Sequence, residues 1–203
     1  MTMTTLFWRS GCVRGVAPGP RVLRLFAAAL LLLGAQGAWA QPELKPIAAL
    51  QVPRYLGVWH EVAKFPNWFQ RQCVSDTSAQ YSLGADGQLQ VLNQCRQRHG
   101  EMLQAQGLAR QIGGATSAKL EVRFAPAWLS FLPFVWGDYW VVDLDEDYSL
   151  AAVSEPRREY LWILSRTPVV EPARYAALLA RLRAMGLDLS RLETTAHTHT
   201  QGR

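Results

Sequence analysis

The first 40 residues contain no aspartate or glutamate, and the whole 203-residue chain has only three cysteines. Each shortage excludes something. The net charge of +5 suggests a polyanionic partner until its distribution is read. Four of the 21 basic residues, Arg9, Arg14, Arg21 and Arg24, lie in the acid-free segment, leaving 17 against 16 acidic residues elsewhere. A near-neutral remainder offers no basic face, so no nucleic-acid partner is expected. Helical bilayer spans of roughly 20 apolar residues are also missing: Leu25 to Leu33 has nine, and no other run approaches it. There is no Gly-x-Ser-x-Gly elbow, no His-Glu-x-x-His and no Gly-rich phosphate loop, and neither His60 nor His99 has a nucleophile beside it in sequence. The chain is therefore not read as an enzyme, and no catalytic residue, cofactor or metal is expected. His197 and His199 stand in a Thr-rich tail and are read as a frayed terminus rather than metal ligands.

What is present begins with an address. An arginine-bearing stretch ending at Arg24, the short apolar run and Ala38-Trp39-Ala40 follow the order of a secretory signal peptide, residues 1–40, cleaved after Ala40. An uncleaved anchor is the alternative. Residues 41–203 then form one exported domain, expected in the periplasm. Cys12 precedes the apolar run, so no cysteine stands where a lipoprotein signal would place its lipid acceptor, and outer-membrane association stays open. Cys73 and Cys95 remain as an even pair in an oxidising compartment, which favours a disulfide over two free thiols or half a zinc site. Closing a loop of roughly twenty residues would remove about 3 kcal/mol of unfolded-state entropy.

The whole chain is 49% apolar, enough for one globular domain, and the exported part reads as short strands. Ala79, Tyr81 and Leu83, then Leu89 and Val91, then Leu120, Val122 and Phe124 alternate with polar neighbours, the pattern of half-buried strands. Gly84-Ala-Asp-Gly87, Gly113-Gly114 and Asp145-Glu-Asp147 supply turns. Five further runs, Leu56 to Phe65, Met102 to Ile112, Tyr139 to Leu144, Ser149 to Val153 and Tyr160 to Ser165, bring the count to eight. Their spacing leaves no room for long crossovers, and eight antiparallel strands close an up-and-down barrel around one small ligand. One helix follows, with Glu171 and Pro172 at its start, Leu178, Leu179 and Leu182 on one stripe and Gly186 at its end. The expected fold is an all-β, eight-stranded antiparallel up-and-down barrel with one C-terminal α-helix packed outside. Pro42, Pro46 and Pro53 make the approach to the first strand an extended arm.

These stretches carry a resemblance. Gly57-Val-Trp59, within Tyr55 to Phe65, resembles the G-x-W signature of lipocalins. Phe69-Gln-Arg-Gln-Cys73, Val91-Leu-Asn-Gln-Cys95 and Tyr160-Leu-Trp-Ile-Leu-Ser-Arg-Thr-Pro168 are similar to the bacterial lipocalin group related to apolipoprotein D, in order over nearly all of the exported part. The resemblance implies the same barrel and helix, and binding, storage or transport of lipophilic molecules, often fatty acids or lysophospholipids, in the cell envelope. Many members of that group are outer-membrane lipoproteins, from which the missing lipid-accepting cysteine departs. It also implies that Gly57, Trp59 and Arg166 are structural residues of the barrel base, with the guanidinium stacked on the indole.

Tracing the strands alternately up and down puts both Cys73 and Cys95 at the mouth, which supports their pairing. Inward parity gives a cavity lined by Glu61, Ala63, Phe65, Tyr81, Val91, Val122 and Phe124, with Trp140 and Trp162 less firmly placed. Glu61 in such a lining requires either a raised pKa or a basic partner. Trp68 and Phe69, together with Trp128, Phe131, Phe134 and Trp136 from a loop too apolar for solvent, form the rim. That loop reads as a lid folded over the mouth, a membrane-surface contact or a homodimer surface. Lipophile carriage leads; the alternatives are a partner-binding or structural module with a filled barrel, or a lipid-modifying enzyme.

Overall fold

The computed structural model describes residues 42–198; the expected signal peptide, its cleavage site and Cys12 lie outside them, as does His199. A one-turn helix α1 (Val52–Tyr55) leads into β1 (Gly57–Lys64), β2 (Cys73–Leu83), β3 (Leu89–Gln97), β4 (Met102–Gln111), β5 (Lys119–Arg123), β6 (Gly137–Leu144), β7 (Leu150–Ser154) and β8 (Leu161–Ser165). Helix α2 (Pro172–Ala184) and a two-residue strand β9 (Glu193–Thr194) follow. Each strand from β2 to β8 pairs antiparallel with the next, β8 pairs with β1, and β1 pairs with β2, which closes the barrel. Cys73 and Cys95 form a disulfide at the mouth end of β2 and β3.

Two apolar layers share the β6–β8 wall. One fills the barrel around Trp59, Tyr81, Leu120, Val141 and Val153. The other lies outside and joins Trp140, Val142, Ala152, Leu161 and Ile163 to Leu178 and Leu182 of α2. The Glu171 carboxylate caps α2, accepting from the N–H groups of Ala173 and Arg174 at 2.9 and 2.7 Å. Arg181 fastens the helix to the wall through two bonds to Asp143, 2.7 and 2.8 Å.

Two elements were not foreseen. Val52 to Tyr55 coils into a turn where an extended arm was expected, because Pro53 can sit in a first helical turn without losing a hydrogen bond. β9 solves a problem of closure. β1 pairs with β2 only through Gly57–His60; beyond that point the two strands part, and the C-terminal segment enters between them. Thr195 donates its N–H to Val62 O at 2.9 Å, and Asp76 of β2 donates its own to Ala196 O at 2.8 Å. Asp76 sits at a left-handed φ of 54° where β2 leaves its regular register with β3. Its carboxylate accepts from Arg96 Nε and Thr198 N, both at 2.8 Å.

Burial alone would raise the Asp76 pKa, but the Arg96 guanidinium and the Thr198 N–H and hydroxyl outweigh it and hold the carboxyl well below its usual range. A carboxylate with a depressed folded pKa stabilises fully above its unfolded value, near 3.8, and loses that contribution as pH falls below it. Asp76→Asn is expected to lower stability at pH 7 by roughly 1–2 kcal/mol. It should also flatten the loss of stability between pH 4 and pH 2 that the parent shows; urea unfolding across that range checks both.

Candidate functional site

The base of the barrel is closed by one arginine. Arg166 leaves β8 inward and lays its guanidinium 3.9 Å from the centre of the Trp59 ring. It donates to three backbone carbonyls, Tyr148 O at 3.1 Å and Val58 O and Arg54 O at 2.9 Å each. Gly57, at φ 96°, allows this approach: a Cβ there would stand 3.3 Å from Arg166 Nη1 in a conformation side chains rarely adopt. Trp59 Nε1 donates to Tyr55 O at 2.8 Å, tying α1 to the same knot.

Above this knot three tyrosines make a floor. The Tyr139 hydroxyl lies 3.0 Å from that of Tyr55 and 2.7 Å from that of Tyr81. Burial raises the pKa of Tyr55 and Tyr139 well above the usual phenol value and that of Tyr81 to about 12. The floor is therefore polar and uncharged at neutral pH, with each hydroxyl satisfied by another. Beneath and around it the interior is filled.

Toward the mouth the filling stops. Register pairs Leu89 with Ala109, Val91 with Gly107, Asn93 with Ala105 and Cys95 with Leu103, all on the inward face. Along β4 that face goes from buried Ala109 through half-buried Gly107 to exposed Ala105 and half-buried Leu103. Val122, inward on β5, is half-buried. The Phe124 ring covers Gly107 so closely that a Cβ there would meet its ring carbons at 2.8 Å. Opposite this small-residue wall stands a polar group. Glu61, 2% exposed, accepts from Gln70 Nε2 at 2.7 Å and Thr195 Oγ1 at 2.6 Å. Gln70 Oε1 in turn accepts from Trp162 Nε1 at 3.0 Å. Desolvation raises the Glu61 pKa against the opposing pull of Thr195, Gln70, Lys64 and His197. The desolvation is not answered by a basic partner, since no ion pair to Glu61 is formed among the described residues.

Three of the nine residues expected to line the cavity lie elsewhere. Ala63 and Phe65 belong to the outer layer under α2, because β1 carries a bulge between Glu61 and Ala63 that turns the following residues over. Trp140 is outside as well, with Lys119 Nζ 4.3 Å from its ring centre, and its neighbour Tyr139 is the inward residue. Tyr139 to Val142 are all apolar or aromatic because both faces of β6 are buried, so alternation there gave no parity. Glu61, Tyr81, Val91, Val122, Phe124 and Trp162 have inward register. Tyr55, Gln70 and Thr195 are not given by strand parity, since each acts from outside the barrel strands. His197, expected in a frayed terminus, is instead 6% exposed with its Nε2 2.9 Å from Glu61 O.

The rim is open. Trp68, Trp128, Phe131 and Phe134 are 70, 73, 76 and 80% exposed, and Phe69 is exposed beside Trp162, ring centres 6.3 Å apart. The aromatic loop is therefore not packed down as a lid. Trp136 alone turns back, onto the outer wall, with the Arg110 guanidinium 4.0 Å from its ring centre and its Nε1 donating to Ser130 O at 2.9 Å.

A closed eight-stranded barrel, filled at the base and reached by solvent along the inward face of β4 toward the other end, is the build of a small-ligand-binding β-barrel. The model of the lipocalin-like domain matches residues 50–197, and the chain belongs to the lipocalin family. It is 39% identical to temperature-induced lipocalin-1 of Arabidopsis thaliana over 160 residues, 78% of this chain and 85% of that one. It is 38% identical to the outer membrane lipoprotein Blc of Vibrio cholerae over 175 residues, 85% and 96% of the two chains. Mouse apolipoprotein D is 33% identical over 151 residues, 71% and 75%. Among solved structures, insecticyanin from the tobacco hornworm Manduca sexta shares the fold at a TM-score of 0.59 and 20% identity, over 76% of this chain and 84% of that one.

Arg166→Ala removes three charge-assisted bonds and the stack on Trp59 at once. It is expected to destabilise the protein by roughly 2–4 kcal/mol while changing ligand affinity little, and Arg166→Lys should recover only a minor part because an ammonium cannot span the three carbonyls. Denaturant unfolding beside a ligand titration measures the two effects separately.

Proposed function

We propose that the protein binds one lipophilic molecule with a single acyl chain, a fatty acid or a lysophospholipid, in the open half of the barrel, and stores or carries it in the bacterial cell envelope. The observation that carries this reading is the inward face of β4, small and apolar, which passes from buried at Ala109 to solvent-reached at Ala105 above a hydroxyl floor. Val91, Val122, Phe124 and Trp162 would hold the chain, with the polar end at Gln70, Trp162 and Glu61. Ten methylenes withdrawn from water yield about 8 kcal/mol gross, from which association costs are subtracted. No chemistry on the lipid is part of this reading.

Placement in the envelope is supported by the relatives named as outer membrane lipoproteins. The exposed aromatics, expected at the rim from the sequence, suit contact with a membrane surface, from which a chain could pass into the barrel without crossing water. A homodimer through the same rim would cover that route.

Native mass spectrometry of residues 41–203, purified from periplasm without detergent and then titrated with fatty acid and lysophospholipid, tests the proposal. One acyl chain per barrel is the expected result, and Ala105→Trp, which fills the open half, should abolish uptake. A clean unliganded mass with no uptake of either lipid would overturn it.

A further inference from the structure

Among the described residues the buried charges are provided for, with one exception. Asp143 is held by Arg181, and Glu61 by Gln70 and Thr195. Glu155 accepts from the N–H groups of Arg157, Glu159 and Tyr160. Arg123 is only 3% exposed, yet no ion pair to it is formed among the described residues. Its Nη1 donates to Ala125 O at 2.7 Å, and its Nε has no hydrogen-bond partner. Glu121, two residues earlier on the same strand, is occupied by Arg110 at 2.9 and 2.7 Å. The Trp136 ring, with its centre 5.3 Å from the guanidinium carbon, offers only a weak cation–π contact. A desolvated cation with an idle donor and no counter-charge is costly, and such a group calls for an explanation.

The surroundings supply one. Arg123 pairs with Leu108 across β4 and β5, on the outer face of the wall. It borders an open cavity of about 330 Å³, lined by the outward Gln80, Ser82, Gln90 and Gln106 from three successive strands together with Leu92, Leu108 and the strand positions Val91 and Gly107 between them. A second cavity, of about 480 Å³, meets the first at Leu108 and Arg123 and reaches Arg110 and Trp136. Three neutral amides and a hydroxyl can each donate and accept, which suits a polyol body. The guanidinium suits an oxyanion.

We propose that this outer-wall cavity is a second binding site, separate from the barrel interior, for a small polar molecule that carries a phosphate ester or carboxylate on a hydroxylated body. Arg123 supplies the positive charge, and Gln80, Ser82, Gln90 and Gln106 take the hydroxyls. The site does not rest on lipid carriage, since none of these side chains shares the inward face.

Calorimetric titration of the exported protein at low salt, with glycerol 3-phosphate, inorganic phosphate, glucuronate and uncharged glycerol, tests it. Saturable one-to-one binding of at least one anion but not of glycerol is expected, together with a melting temperature that rises with that anion. Preference for glycerol 3-phosphate over inorganic phosphate identifies a headgroup-like ligand, preference for glucuronate an acidic sugar; either supports the site. Arg123→Gln should weaken binding at least tenfold and leave the unliganded melting temperature unchanged or higher, because it removes an uncompensated buried charge. Ser82→Trp, which fills the cavity from another strand, should abolish anion binding and leave lipid uptake intact. No heat with any of the three anions, or undiminished binding in both variants, would overturn the proposal.

Discussion

The contact of Arg166 with Trp59 is the constraint on which the barrel depends. One guanidinium at the end of β8 joins the first strand, the turn before β7 and the helix that crosses the base, through three carbonyls and one indole. Three carbonyls from separate segments held by one side chain make the base a single cooperative unit, since losing that side chain releases all three at once. The Tyr55–Tyr139–Tyr81 hydroxyl chain rests on it. Filling thus proceeds upward from a rigid end, and what volume the side chains leave over is left at the mouth.

The mouth is built on different terms. Its seam between β1 and β2 is not a continuous ladder, and the C-terminal segment completes it through Thr195, Ala196 and the Asp76 carboxylate. The disulfide between Cys73 and Cys95 holds the adjoining strands at the same end. Covalent and ionic ties therefore stand where hydrophobic filling is lacking. Glu61 belongs to this arrangement too. Its hydrogen bonds to Thr195 and Gln70 link the seam, the loop after β1 and the interior face of Trp162, so the closing segment and the top of the ligand space share one network.

Much of this was legible in the residues. Alternation located the strands whose two faces differ, as in Leu120, Val122 and Phe124, and turn glycines separated them. Arg166 could be placed beside Trp59 because eight antiparallel strands return the last to the start of the first. Parity failed where physics removed the contrast it relies on. β6 is buried on both faces, so Tyr139 and Trp140 were exchanged, and a bulge at Val62 moved Ala63 and Phe65 to the helix side. The ninth strand escaped notice because two residues, Glu193 and Thr194, are too few for a period. Arg123 gave no sign at all: an outward position on a short strand reads as solvated, and its burial comes from a loop folding back across the wall.

A filled base and an open, ligand-receiving mouth differ in how their amides exchange. Hydrogen exchange followed by mass spectrometry, on protein stripped of lipid and then loaded with palmitate, measures that difference strand by strand. Slow exchange at the base ends of β1, β2 and β6 in both states is expected, with new protection confined to the mouth half of β3, β4 and β5 and to residues 67–70 on loading. Protection that rises equally throughout, or only on the outer face beneath α2, would contradict the account.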